Sequence, residues 1–524
     1  MAFTFQINND VEFNHNQAFL KKAQQLTPTI QHTKVTPVAL VETVKDDHKL
    51  NSTGIKKIDA VENLPKHLMK RDDHVTLDFG NHYVGYFKIN IQHVGSPQDA
   101  PLTLKLKFAE VPAELVYDSA DYDGWLSKSW IQEEVIHIDH LPVELKLPRR
   151  YAFRYVDLKV IDTSPKWSAS FDKAEVTAVS SVTTAQLPKL SDPELQSIYN
   201  VSVKTLQDCM QTVFEDGPKR DQRLWLGDLR LQALANYATF HNDDLVKRCL
   251  YLFAGMTAKD GRIPANVFTN GEPQPDDTFL LDYGLFFTST LNDYVVETND
   301  ISTLRELYPV AKKQILVALH SIKDGHYQFY DNYPVFVDWS NDFDKTTAGQ
   351  AILIYTFKQF VSLAQRLNET EDIQKISAVI KQLSESAIHD LFDSQQQLFV
   401  SGPDKEVNIA SQVWMVLAQV VTGSQAATVM QTAKQKLFPI TGIATPYMYH
   451  HITEAFFCAG LKDDGIELLK NYWVKMIKLG ADTYWEAFEP EDPDYSPYGS
   501  PIVSSYCHAW GCTPAYLIKK YLVN

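Results

Sequence analysis

Two hydrophobic periods divide the chain. Up to about residue 185, apolar and polar positions alternate: Thr103 and Lys105 separate Leu102, Leu104 and Leu106, and Tyr151, Ala152, Phe153, Arg154 and Tyr155 follow the same rule. A period of two puts one face of a strand against a core. These runs lie between turn signals at Asp78-Phe79-Gly80, Gly95-Ser96-Pro97 and Leu147-Pro148, which predicts an antiparallel β-sandwich. After Asp192-Pro193 the period becomes 3.6, with Leu195, Ile198, Tyr199, Leu206, Met210 and Val213 on one helical stripe. Twelve helical segments are predicted, over 193–213, 228–240, 243–257, 277–297, 302–322, 345–367, 371–395, 406–421, 424–436, 446–460, 463–479 and 506–522. The expected fold class is multidomain α and β, with a β-sandwich domain over 1–188 and a helical domain over 189–524.

The links between helices alternate in length. Those after the second, fourth, sixth, eighth and tenth helices are short, and those after the first, third, fifth and eleventh are long. Short links force antiparallel neighbours, so every long loop emerges on one face. This pattern predicts an (α/α)6 toroid with its cleft on that face. A superhelical repeat would need a repeating consensus, and none is visible.

Composition narrows the partners. The chain has 524 residues, a formal net charge of −16, 44% hydrophobic residues and no apolar run long enough to span a bilayer. A phosphate-tracking protein needs a basic surface, so neither nucleic acid nor an anionic membrane is expected as a partner. The start, MAFTFQINNDVEFNH, has neither a basic nor an apolar leader region, so no secretion signal is expected. Five cysteines (Cys209, Cys249, Cys458, Cys507 and Cys512) are too sparse for a disulfide framework and fit a cytoplasmic location. Cys507 and Cys512 flank His508 with no standard zinc spacing and are expected to pack in a helix core. No phosphate-binding glycine loop or Ser-His-Asp arrangement stands out, and no cofactor or metal is expected.

The long loops carry the chemistry. The first, 214–228, holds Glu215, Asp216, Asp221 and Asp228 with Lys219, Arg220, Arg223 and Trp225. Carboxylates split between arginine neighbours and an aromatic wall divide into binders and a proton donor, a glycosidase-like pattern. The plainer alternative makes Asp228 a helix N-cap and the Arg/Asp pairs surface salt bridges. The last long loop, 480–505, contains Trp485, Glu486 and five further acids without one Lys or Arg, so mutual repulsion is expected to raise at least one of them. Asp338 and Trp339 lie on the third long loop and Tyr283 on the fourth helix; aromatic faces interleaved with acids suit a sugar, although core packing explains Tyr283 or Trp339 taken singly. Most of the net charge lies in these loops, which favours small neutral substrates over acidic polymers.

The segment Asp216-Gly217-Pro218-Lys219-Arg220-Asp221 with Trp225-Leu226-Gly227-Asp228 resembles the signature loop of the family-78 glycoside hydrolases, the inverting α-L-rhamnosidases. Tyr484-Trp485-Glu486 followed by His508-Ala509-Trp510-Gly511 is similar to the family's second signature. Asp78-Phe79-Gly80, Val84-Gly85-Tyr86 and Arg149 to Tyr155 are similar to strands of the sandwich preceding its catalytic toroid. The resemblance implies a first-loop acid that protonates the leaving oxygen, and Glu486 as the base that activates water. It also implies that Asp216, Arg220, Trp225, Asp228 and His508 hold the rhamnose. Trp485, Tyr283, Asp338 and Trp339 stand beside them as further sugar-site candidates, from their place among the acids of the long loops.

One departure matters. Many members carry Arg-Glu-Glu-Arg where this chain has Arg220-Asp221-Gln222-Arg223, and a glutamine cannot donate a carboxylic proton. Members with Arg-Asp and a shorter spacing to Trp make Asp221 the acid; Glu215 is the second candidate. With 16 residues after His508, the C-terminal β-sandwich of larger members is not expected. The implied reaction is single-displacement hydrolysis of terminal α-L-rhamnose from small neutral rhamnosides such as plant glycosides, with a homodimer as the candidate assembly. Two other functions stay open: a different (α/α)6 glycosidase, releasing glucose or an unsaturated uronate, and a catalytically silent carbohydrate-binding protein, for which Gln222 is the argument.

Overall fold

The computed structural model describes residues 11–183, 185 and 188–523, so part of the leader expectation (residues 1–10) lies outside the described residues. Nine strands between Gln31 and Ser180 form one antiparallel sheet. The 22-residue strand His74–Gly95 ties it together, pairing with Ala39–Lys45, Val143–Lys146, Tyr151–Asp162 and Trp167–Ser180. All nine strands thus belong to one hydrogen-bonded network, around a core that includes Leu77, Phe79, Phe87, Phe108, Phe153 and Trp167. Asp78-Phe79-Gly80 does not end a strand. The register shifts there, Gly80 has φ 78° and the Asp78 carboxylate accepts the Gly80 N–H at 2.7 Å, which makes the segment a bulge inside the long strand.

The helices follow their caps. Asp192 accepts the N–H groups of Glu194 and Leu195, and Pro193 occupies the first turn, so Pro193–Cys209 starts where expected. Asn299 and Asn368 end two helices in the left-handed conformation. Six helices form an inner set: Leu226–Ala238, Leu281–Thr298, Thr346–Leu367, Ile409–Leu417, Pro446–Cys458 and Pro514–Tyr521. Each packs on the next, and the last packs on the first. Every residue of Leu226–Ala238 and of Ile409–Leu417 is buried, whereas Thr370–Ser386 buries only Asp372, Ile376 and Leu383. Helices buried all round lie inside; amphipathic ones cover them. No helix among the described residues is long and apolar enough to cross a membrane.

Three expectations are corrected. The helix predicted over 506–522 begins only at Pro514, because the backbone N–H of an extended His508 donates to the Tyr484 carbonyl. Cys507 and Cys512 therefore precede that helix, and Cys507 lies against Cys209, with the sulfurs 3.8 Å apart. The first predicted helix stops at Cys209, where Met210 turns extended. Within the strand-like half, Gln17–Gln25 is a helix capped by Asn16 and packed on Asp243–Gly255; its polar composition hid the period.

Ion pairs join the sheet to both chemistry-bearing loops. Arg150 donates to both oxygens of Glu215 in the first loop, at 3.0 and 2.7 Å. Arg154 grips Asp482 at the start of the last loop, at 2.9 and 2.7 Å, while its other face holds Asp78. Glu110 accepts the Tyr506 N–H at 2.7 Å and also binds His82, whose other ring nitrogen meets Asp208 at 2.6 Å. Lys219 pairs with Glu114 and donates to the Ser504 carbonyl at 2.7 Å. Removing one partner of a buried pair leaves an uncompensated charge. Arg150→Ala should therefore cost about 3 kcal/mol, read as a lowered urea midpoint, whereas Arg149→Ala, on an exposed side chain, should stay within about 0.5 kcal/mol of the parent.

Candidate active site

The first loop closes on itself and on the last loop. Asp216 accepts the Arg223 N–H through its side chain at 3.0 Å, and its carbonyl accepts the Ala509 N–H at 3.0 Å. Gly217 sits where a Cβ would fall 2.8 Å from the Ser505 hydroxyl, so a side chain there would crowd the last loop. Asp221 and Gln222 both have positive φ, 66° and 52°, a strained conformation for non-glycine residues that the surrounding hydrogen bonds maintain. The result points the two side chains apart. Asp221 lines a cavity. The Gln222 amide instead donates to the Pro218 carbonyl at 2.8 Å and accepts from Asn270 at 3.3 Å.

Arg220 is central to the cavity. Its guanidinium donates to Asp221 at 3.2 Å, to Glu486, and through Nε to the Val503 carbonyl at 3.2 Å, while lying 4.2 Å over the Tyr498 ring. Tyr498 in turn donates its hydroxyl to the other oxygen of Glu486. The Glu486 carbonyl accepts from the Trp510 indole at 2.9 Å. The acids of loop 480–505 are thus not left without cations. Arg220 and Arg154, both from outside that loop, face Glu486 and Asp482. The member of that loop whose carboxyl is pushed up is Glu489, by burial and then by Asp338 and Asp492.

The walls are aromatic. Trp225 meets Tyr283 edge-on at 6.3 Å, Tyr283 meets Phe336 at 5.7 Å, and Phe336 contacts Trp339 and Trp510. Tyr283 keeps this place because Gly227 has no side chain: a Cβ there would fall 2.3 Å from the ring. The Phe336 turn is strained. Val337 has φ 59°, and the Asp338 N–H closes onto the Phe336 carbonyl at 2.6 Å. Asp282 holds this turn by accepting the N–H groups of Phe336 and Val337, and Lys345 by donating to the Phe336 and Asp338 carbonyls.

Proton affinities are shifted where the carboxylates crowd. Burial first, then the Asp221 and Asp228 charges, pushes Asp216 well above the usual carboxylate range. Burial, then Glu486 and Asp221, does the same to Asp228. Burial and then Arg220 push His508 well below the usual imidazole value. His508 Nδ1 lies 3.5 Å from Asp228 Oδ1, and these opposite shifts favour the neutral forms over an ion pair. Neither atom makes a hydrogen bond although both are buried. Buried polar atoms without partners are costly, so a donor and an acceptor held side by side facing a cavity suit sugar hydroxyls.

Of the residues singled out in the sequence, Asp216, Arg220, Asp221, Trp225, Asp228, Tyr283, Trp339, Glu486 and His508 line this one cavity. Asp228 is no N-cap: the helix starts at Leu226 and the Asp228 carboxylate is buried in the site. Three candidates lie elsewhere. Glu215 is committed to Arg150. Asp338 accepts from Thr445 and from the Ala444 and Ser340 N–H groups, so it anchors the loop that bears Trp339. Trp485 is buried against Phe488 and Tyr506, beneath the site. Sequence reasoning assigned no site role to Tyr498, Phe336, Trp510, Thr278, Leu280, Trp125 or Leu126, which complete the lining. Among the described residues, His82, Asp208 and Cys507 bring ligand-type atoms within 4.8 Å of one another. Both ring nitrogens of His82 are already held by carboxylates, so the group reads as an ion-pair joint between sheet and helices.

Comparison with known proteins fits this geometry. The glycosyl hydrolase family 78 α-rhamnosidase N-terminal domain matches residues 37–178, and the bacterial α-L-rhamnosidase 6 hairpin glycosidase domain matches residues 185–522. A solved rhamnosidase from Klebsiella oxytoca with rhamnose bound is 43% identical, covers 98% of this chain and 100% of its own, and superposes with a TM-score of 0.95. The family 78 rhamnosidase of Bacillus sp. GL1 (19% identity, TM-score 0.73) covers 89% of this chain and 49% of its own. The Streptomyces avermitilis α-L-rhamnosidase complexed with L-rhamnose (16%, TM-score 0.66) covers 94% and 44%. Those two share the fold over about half of their length. No curated protein matches significantly. The chain belongs to glycosyl hydrolase family 78, the α-L-rhamnosidases, and is a glycoside hydrolase.

Proposed function

We propose that the enzyme is an inverting α-L-rhamnosidase in which Asp221 is the general acid and Glu486 the general base. The observation that carries this is the Arg220 bridge: one guanidinium holds both carboxylates at a single cavity, one from each signature loop. An inverting pair stands roughly 6.5–9.5 Å apart to admit water, and a guanidinium between the carboxyls suits that spacing better than the roughly 5 Å of a retaining pair. Asp221 would protonate the leaving oxygen while Glu486 takes a proton from water on the opposite ring face. The crowding of Asp216 and Asp228 favours their protonated forms, which can donate hydrogen bonds to sugar hydroxyls. Asp216, Asp228 and His508 would bind the rhamnose hydroxyls, and Trp225, Tyr283 and Trp339 its apolar face.

The placement of Gln222 outside the lining supports Asp221 over a silent binding protein. In this reading the six inner helices close the (α/α)6 toroid of a catalytic domain over 189–524, and the sheet domain over 1–188 buttresses its loops. Five free cysteines and the net charge of −16 favour a cytoplasmic enzyme that avoids anionic surfaces.

Asp221→Asn and Glu486→Gln should each lower kcat about 10²–10⁴-fold on a nitrophenyl α-L-rhamnoside, with the calorimetric affinity for rhamnose largely kept; parent-like turnover by either variant contradicts the roles. The acidic loops predict faster release of rhamnose from small neutral glycosides than from uronate-rich polymer at low salt, compared by initial rates at equal rhamnosyl concentration. A faster rate on the polymer contradicts this.

A further inference from the structure

We propose that Trp125, carried by the sheet domain, is the aglycone platform of this site and selects rhamnosides whose leaving group is a planar aromatic. The inference rests on the rhamnosidase reading above. Trp125 and Leu126 lie more than 80 residues before the first signature loop, yet both line the cavity. Their loop is fastened to the last loop by a small apolar cluster separate from the two main cores, in which Tyr122 and Ile131 pack with Tyr498, Ile502 and Val503. The Leu126 N–H donates to the Tyr122 hydroxyl at 3.1 Å, which fixes the turn that bears Trp125. The indole lies 5.7 Å from the Tyr498 ring, whose hydroxyl holds Glu486.

Exposure orients the cavity. The side chains of Glu486 and Asp228 are 5% and 3% exposed, and that of Asp221 is 12%. Trp125, at 55%, is the most open residue of the lining. The proton donor therefore stands nearest the mouth, so the bond it cleaves points outward and the leaving group passes the indole. The half-buried rim there consists of Leu126, Trp225, Trp339, Thr278 and Asp221. That rim sets the faces of Trp225 and Trp339 and the Leu126 side chain beside the Trp125 indole, with polar groups at Thr278 and Asp221. An aryl group stacks on the indole over its whole planar face, whereas a saccharide offers only its C–H positions to that face.

The test uses the full chain and its Trp125→Ala and Trp125→Phe variants on 4-nitrophenyl α-L-rhamnoside, methyl α-L-rhamnoside and a rhamnosyl-glucose disaccharide. The ratio of kcat/KM for the aryl over the methyl glycoside should fall about tenfold in Trp125→Ala and recover in Trp125→Phe, with the calorimetric Kd for rhamnose within about twofold of the parent. An unchanged ratio overturns the inference. So does an equal loss on both glycosides with weakened rhamnose binding, which marks Trp125 as a structural residue. A larger loss on the disaccharide than on the aryl glycoside overturns it in favour of a sugar acceptor. A parent enzyme that cleaves none of the three overturns the activity reading itself, and the inference with it.

Discussion

Arg220 is the interaction on which the rest of the site depends. It is buried among acids, stacked on Tyr498, and its arms reach Asp221 in its own loop, Glu486 in the last loop and the Val503 carbonyl. Burial disfavours a cation, but here Glu486, Tyr498 and Asp221 together push its proton affinity well above the usual arginine value, so its charge is permanent. Without that charge four carboxyls would crowd one cavity with only Arg223 nearby. Like charges at that density cannot all ionise.

The sheet domain supplies the second constraint. Loops that carry chemistry need a rigid support, and here the support lies more than 60 residues away in sequence. Arg150 holds Glu215, Arg154 holds Asp482, and Glu110 and Glu114 hold Tyr506 and Lys219. On the loop side, each contact lies one to four residues from a cavity-lining side chain. The strained αL pair at Asp221 and Gln222 persists because these contacts over-determine its loop. The inner helices act on the third side: Asp282, on Leu281–Thr298, accepts two backbone N–H groups of the Phe336 turn, and burial pushes its carboxyl up to about 6.

What was legible in the sequence, and what was not, follows from the same physics. Period and caps place the helices well, because Asp192-Pro193 or Thr445-Pro446 act locally. The end of the chain misleads, since His508 is held extended by Tyr484, a partner across the fold. Residue types and the family resemblance bring nine candidates to one cavity, but neighbouring positions point in different directions. Asp338 and Trp485 flank lining residues and turn away from the cavity, one to Thr445 and the other to Phe488 and Tyr506. Trp125 and Tyr498 lie in stretches without period or motif, and only the tertiary fold brings them to the site. The apparent absence of cations from loop 480–505 has the same origin, because its counter-charges come from positions 154 and 220.

The central claim is that Asp221 and Glu486 act from opposite sides of the sugar, held apart by Arg220. The most direct measurement is proton NMR of the anomeric signal during the first turnovers of an α-L-rhamnoside, before the released sugar mutarotates. Inversion by Asp221 and Glu486 should give β-L-rhamnose as the first product. Initial appearance of the α-anomer would mean retention through a covalent intermediate and would contradict it.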